Sequence, residues 1–191
     1  MRICLYGASS NEIDKKYIEA AEKLGYEFAK KGHGMVYGAG ANGLMGAAAR
    51  GFTKGGGEII GVAPEFFNVD GVLYDKCTKL IRTETMRERK RIMEEYADAF
   101  VVVPGGIGTF DEFFEILTLK QLGRHNKAIV VYNAYGYYDA MAEMLKNAVD
   151  CGFMKEIKGV IYEILNNGAD LVKYLENYKS ENFDVRKLKN I

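Results

Sequence analysis

Short apolar runs that end in glycine recur along this chain, and a helical pattern follows each one. Arg2-Ile-Cys-Leu-Tyr6 runs into Gly7-Ala8-Ser9-Ser10, and Gly34-Met-Val-Tyr37 into Gly38-Ala39-Gly40. Ala99-Phe-Val-Val-Val103 runs into Pro104-Gly105-Gly106. From Asp14 to Lys31, Tyr17, Ile18, Ala21, Leu24 and Phe28 recur at helical spacing. Further strands are predicted at 58–62, 77–81, 127–132 and 160–164, and further helices at 43–54, 84–96, 109–122, 137–149 and 170–178. The stretch from Pro64 to Lys76 breaks the rhythm and is expected as a long loop. Strands alternating with helices imply βαβ units: an α/β, Rossmann-like, doubly wound and mostly parallel sheet with helices on both faces. Residues 1–178 form one such domain, and 179–191 are a polar, loose C-terminal tail. Ligands of such sheets bind beyond the carboxyl ends of the strands, where strand order reverses. The three glycine loops are therefore expected to open onto one site.

Charge and cysteine usage narrow what that site can serve. The 26 basic residues balance the 26 acidic ones, so no global field favours nucleic acid and any anion site must be local. Cys4, Cys77 and Cys151 are dispersed and odd in number, which fits neither a zinc pattern nor a disulfide framework and points to a cytoplasmic protein. No leader pattern opens the chain. Its longest apolar stretches fall short of the roughly 18 residues of a membrane span.

Glycine numbers 22 of 191 residues and proline only 2, and Pro104 opens the richest glycine cluster. Val103-Pro-Gly-Gly-Ile-Gly-Thr-Phe-Asp-Glu112 lies between a buried strand and a helix start. Gly105, Gly106 and Gly108 let backbone N–H groups approach an anion, and Thr109 is expected to cap the helix, whose N-terminus carries partial positive charge. The segment is neither a Walker loop nor a dinucleotide fingerprint. A capping box of Thr109 with Glu112 would account for those two residues, but not for a proline and three glycines at a strand end. Glu112 is then beside a bound phosphate, where a carboxylate repels. It is better placed to face the ribose and stabilise an oxocarbenium centre or orient a water. Asp111 and Glu115 are expected as surface charges.

Met86-Arg-Glu-Arg-Lys-Arg91 could be a solvated basic face, but Met86, Arg89, Met93 and Tyr96 share one helical stripe. Arg89 should point inward and needs an anionic partner, a ligand phosphate or Glu112; Arg87 and Arg91 should point away. Tyr37 to Gly46 is either close helix–strand packing or ligand contact. His33 and His125 are isolated and carry no assigned role.

With these residues in hand, the chain resembles the cytokinin-activating Lonely guy proteins, which cleave nucleoside 5′-monophosphates into base and ribose 5-phosphate. The hallmark Pro-Gly-Gly-x-Gly-Thr-x-x-Glu is matched at Pro104–Glu112, and Met-x-x-Arg-Lys at Met86, Arg89 and Lys90. Gly43-Leu-Met-Gly46, Gln121-Leu-Gly123 and Gly136-Tyr-Tyr138 match as well. The resemblance implies Arg89 and Glu112 as the catalytic pair. It implies Lys90, Gly106, Ile107, Gly108, Thr109 and Thr118 at the nucleotide site, with Met86 and Gly105 from the two motifs. The family's first loop often reads Gly-Ser-Ser, whereas Gly7-Ala-Ser-Ser10 stands here and Ser9 takes that place; Arg87 stands where the family often has His. Asp70 is the nearest counterpart of a substrate-contacting Glu in the 64–76 loop. The resemblance further implies a homodimer with its site near the interface, and no metal or organic cofactor. Older descriptions of such proteins as lysine decarboxylases find no support, since no feature suggests a pyridoxal phosphate site. Two rival functions remain: a nucleotide carrier like the molybdenum-cofactor carriers, and a base-exchange ribosyltransferase using Glu112 as nucleophile.

Overall fold

The computed structural model describes residues 1–67, 71–180 and 184–188. Seven strands, β1 (Arg2–Tyr6), β2 (Gly34–Tyr37), β3 (Ile59–Pro64), β4 (Lys79–Thr83), β5 (Ala99–Val102), β6 (Ala128–Tyr132) and β7 (Glu163–Leu165), pair in the order β4-β3-β2-β1-β5-β6-β7. Every pairing in this sheet is parallel. Among the described residues six α-helices accompany them: α1 (Lys15–Lys30), α2 (Gly43–Gly55), α3 (Met86–Tyr96), α4 (Ile107–Gln121) and α5 (Asp139–Asp150) each lie between two strands, α6 (Gly168–Asn177) follows β7, and β3 runs to β4 without an α-helix.

A parallel strand covered on both faces has no polar side, so its sequence is a continuous apolar run. In β1, Ile3 and Leu5 face one core while Cys4 and Tyr6 face the other. The first core takes Leu24 and Phe28 of α1, Phe52 of α2 and Leu171 of α6. The second takes Met93 of α3, Phe113 of α4 and Met141 of α5. This is the doubly wound arrangement that the alternation of elements predicts.

The departures lie where apolar pattern is weak. β4 is a polar edge strand, two residues later than predicted; its register, Ile60 opposite Lys79 through Pro64 opposite Thr83, is set by β3. β7 replaces the predicted 160–164 strand, and Val160 is exposed. Within the 64–76 stretch, Pro64 ends β3 and Glu65–Phe67 form a single 3₁₀ turn. Its far half is pinned to the loop after β2: Ala41 N–H donates to Val72 O at 2.9 Å, and Tyr74 N–H to Ala39 O at 2.9 Å. Asp70 lies outside the described residues. The tail is not wholly loose either. Leu188 is buried in the second core, and Gln121 Nε2 donates to its carbonyl at 2.9 Å. No helix among the described residues is long and apolar enough to cross a membrane.

Candidate active site

β1 and β5 are neighbours, but the chain leaves β1 toward α1 on one face and β5 toward α4 on the other. Strand order reverses here, and the carboxyl-end loops part to form a cleft of about 610 Å³. Ser9 and Ser10 line it from the loop after β1, Gly38 and Gly40 from the loop after β2, and Gly106 from the loop after β5. The three glycine loops therefore meet, as their positions in the sequence predict.

α4 starts in this cleft. Its N-cap is Gly106, with no side-chain cap, and Phe110 N–H is bonded to Gly106 O at 3.0 Å. The preceding N–H groups, of Ile107, Gly108 and Thr109, have no intrahelical acceptor and add to the positive end of the helix dipole. Ile107, Gly108 and Thr109 all line the cleft. Thr109 is not the N-cap that the sequence suggests, and no capping box with Glu112 forms. It sits buried in the first turn with its hydroxyl folded over Gly105, where an added Cβ would lie 2.1 Å from Thr109 Oγ1. Gly105 itself is buried behind the cleft rather than lining it.

Glu112 is answered by Arg89 instead. Arg89 Nη1 donates to Glu112 Oε1 at 3.0 Å, and Arg89 Nε donates to Val62 O at 3.3 Å. The two residues are 7% and 6% exposed, so this is a buried ion pair at the cleft wall. Burial pushes the Glu112 carboxyl up to about 7, against the pull of Arg89. Arg89 also explains Gly38: a Cβ there would lie 1.9 Å from Nη2, so only glycine lets the guanidinium pass. The loop after β2 thus packs closely against Arg89 while Gly38 and Gly40 also line the cleft, so it is placed for both roles that its Gly-x-Gly allows. Thr85 caps α3 by accepting from Glu88 N–H at 3.1 Å, and this start sets the helical phase. Arg87 and Arg91 are exposed, and Arg91 pairs with Glu95.

Lys90 lines the cleft but is shared between two carboxylates of α4, Asp111 at 3.1 Å and Glu115 at 2.6 Å. Burial works against its charge, yet the hydrogen bonds it donates to Glu115 and Asp111 raise it above the usual lysine range. Asp111 and Glu115 are exposed, as expected of surface charges, and they also pair with Lys90; their spacing of four along α4 was the available signal for that. Met86 and Ser9 also line the cleft. Thr118 does not: it is exposed on α4, about 16 Å along the helix from Ile107 at 1.5 Å per residue. Phe67, Val72 and Leu73 add an apolar wall from the 64–76 stretch, a contribution that the irregular sequence did not reveal. His125 is remote, bonded to Ile116 O at 2.8 Å. Among the described residues no cluster of three or more His, Cys, Asp or Glu is placed to hold a metal ion.

A doubly wound sheet with an open helix start at its switch point defines a Rossmann-like α/β protein with a cleft at the carboxyl ends of its strands. A family model described as "Possible lysine decarboxylase" matches residues 45–175. Two relatives are cytokinin riboside 5′-monophosphate phosphoribohydrolases. LOG2 of Arabidopsis thaliana is 33% identical over 96% of this chain and 86% of its own length. LOG of Oryza sativa subsp. japonica is 36% identical over 94% of this chain and 74% of its own. The chain belongs to the family of these relatives, the Lonely guy family. A molybdenum cofactor carrier protein from Chlamydomonas reinhardtii shares the fold, with a TM-score of 0.69 at 23% identity, covering 93% of this chain and 98% of that one. A molybdenum cofactor binding protein from Rippkaea orientalis does so with a TM-score of 0.67 at 17% identity, covering 92% and 94%. At these identities the likeness speaks for the fold alone.

Proposed function

We propose that the protein is a phosphoribohydrolase that hydrolyses the N-glycosidic bond of purine nucleoside 5′-monophosphates, with adenine or an N6-modified adenine as base. The observation that carries this reading is the buried Arg89–Glu112 pair beside the open start of α4. The N–H groups of Gly106–Thr109 take the 5′-phosphate. Binding energy from that remote phosphate positions the ribose. As the bond from C1′ to the base nitrogen breaks, its electron pair leaves with the base, and positive charge grows on the ribose. Glu112 faces that charge and orients the water. The water oxygen bonds to C1′, and one of its protons is carried off through the carboxylate to end on the base. Arg89 holds Glu112 in place. The apolar wall of Phe67, Val72 and Leu73 suits a purine ring or its N6 substituent.

The family model's description fits the cleft less well. A Schiff-base lysine needs a free amine. Lys90, the one lysine lining the cleft among the described residues, is held charged between Asp111 and Glu115. The three free cysteines support a reducing, cytoplasmic setting. A homodimer is part of the same proposal: Thr118 matches a position that lines the family's site, yet lies outside its own chain's cleft, so a second copy would have to present it. In sedimentation the expected mass is twice the 21.4 kDa of the chain. The deciding experiment incubates the protein with AMP, the isopentenyladenosine monophosphate and adenosine, and separates the products. Free base and ribose 5-phosphate from the nucleotides, with adenosine at least about 100-fold poorer, support the reading. Tight binding of AMP without release of adenine would make the protein a carrier. Transfer of ribosyl phosphate to an added base, outrunning hydrolysis, would make it a transferase.

A further inference from the structure

We propose that Tyr137 and Tyr138 are positioning residues that set the direction of the phosphate-binding peptide at Gly105–Gly106. This inference rests on the reading of that loop as the phosphate site. Three consecutive carbonyls lead into α4, and each is occupied. Tyr138 Oη donates to Val103 O at 2.8 Å, Ala8 N–H to Pro104 O at 3.1 Å, and Tyr137 Oη to Gly105 O at 2.7 Å.

A trans peptide is planar, with its C=O and N–H on opposite sides. Pinning the Gly105 carbonyl therefore also aims the Gly106 N–H, and Gly106 lines the cleft. The pin is needed because a glycine stands on each side of that peptide. Neither has a Cβ to bar rotation, and a flipped peptide would turn a carbonyl oxygen toward a bound phosphate. The tyrosine bond selects the orientation that an anion requires.

The turn that carries the two phenols is built at a cost. Tyr135 has φ 55°, an uncommon left-handed conformation for a residue other than glycine, and Gly136 follows at φ 74°. Strain of this kind persists only where neighbours over-determine it. Here Asn133 does so: its Oδ1 accepts from Tyr138 N–H at 2.6 Å, and its Nδ2 donates to Asp139 at 2.8 Å and Asn166 at 3.0 Å. The rings are braced as well, Tyr137 edge-on to Tyr138 with centroids 4.9 Å apart, and Tyr138 edge-on to Phe110 at 6.2 Å. Burial raises the Tyr138 phenol above its ordinary range, so it stays a donor at any working pH.

Tyr137→Phe tests the idea, since it removes only the hydroxyl of a partly exposed ring. KM for AMP and the dissociation constant of ribose 5-phosphate are each expected to rise roughly tenfold, about the net worth of one hydrogen bond, with kcat within about twofold. Tyr138→Phe should act in the same direction. Tyr135→Phe, whose hydroxyl touches neither carbonyl, should leave both constants unchanged. Residual turnover of adenosine, which has no phosphate, should be the same in wild type and Tyr137→Phe. If Tyr137→Phe binds ribose 5-phosphate as tightly as a wild type that does bind it, the positioning role is overturned and the phosphate site stands. Equal losses for AMP and adenosine would also overturn it, as general loosening. A wild type that binds no ribose 5-phosphate would remove both the site and the inference.

Discussion

At the scale of single residues, the decisive group is a carboxyl that its surroundings barely allow to ionise. Desolvating a buried carboxylate costs several kcal/mol, and the one bond from Arg89 at 3.0 Å offsets only part of it. Glu112 is therefore raised to about 7, with burial the larger cause. A group poised there exchanges protons readily at working pH, as a general base should. In the proposed reaction the ionised form faces the developing positive charge, so kcat for AMP should fall as pH drops through about 7. Glu112→Gln keeps the shape but lacks the charge; turnover should fall by about 100-fold or more while nucleotide binding persists. Near-normal turnover by that variant would remove Glu112 from the chemistry. The neighbouring arginines provide a contrast. Arg89→Ala strands the carboxylate in a buried site and should cripple activity, at a cost of about 3–5 kcal/mol in stability. Arg87→Ala and Arg91→Ala, both exposed, should shift stability by only about 0.5 kcal/mol and leave kcat/KM near wild type. Comparable kinetic losses in all three would mean that the helix acts as a general basic patch.

At the scale of elements, what could be read from the sequence depended on how strongly a pattern was tied to burial. The buried strands announced themselves as apolar runs, and the stripe of Met86, Arg89, Met93 and Tyr96 was enough to give the phase of α3. β4 was displaced because its exposed Lys79, Leu80 and Arg82 carry no alternation, and only pairing with β3 determines where it lies. The start of α4 moved from Thr109 to Ile107 because a hydroxyl near a helix start looks like a cap in sequence, whereas here it packs over Gly105. Phe67, Val72 and Leu73 stayed hidden because they reach the cleft through tertiary contacts of an irregular segment. Gly38 shows how a loop can matter without any chemistry of its own. A methyl group there would overlap Arg89 Nη2, so Gly38→Ala should displace the guanidinium and lower kcat as steeply as Arg89→Ala. A kinetic assay of the purified variant checks this. Wild-type kcat in Gly38→Ala would show that the guanidinium has room to move and that Gly38 does not constrain it.

At the scale of the whole molecule, the same carboxyl should set how stability depends on pH. A carboxyl raised in the folded state favours folding while it is protonated in both states, and that contribution is lost as pH rises through the folded value. For Glu112 the window runs from its ordinary 4.5 to about 7. His125 works in the opposite sense: burial pushes it down from 6.5 to about 4, so its contribution is lost as pH falls through that range. The two windows overlap, and the wild-type profile alone would hide both. Comparing wild type with Glu112→Gln at one protein concentration cancels His125 and any effect of subunit association. From pH 5 to pH 8, wild type should lose on the order of 2–3 kcal/mol relative to the variant, since each tenfold change in proton affinity between the folded and unfolded states is worth about 1.4 kcal/mol. The inactive variant should thus become the relatively more stable protein as pH rises, as expected where a site holds a charge its fold would rather neutralise. Denaturant melts at the two pH values measure the difference. A gap between the two proteins that does not change with pH would mean that Arg89 fully offsets the burial of Glu112, and the carboxyl would then titrate as an ordinary one.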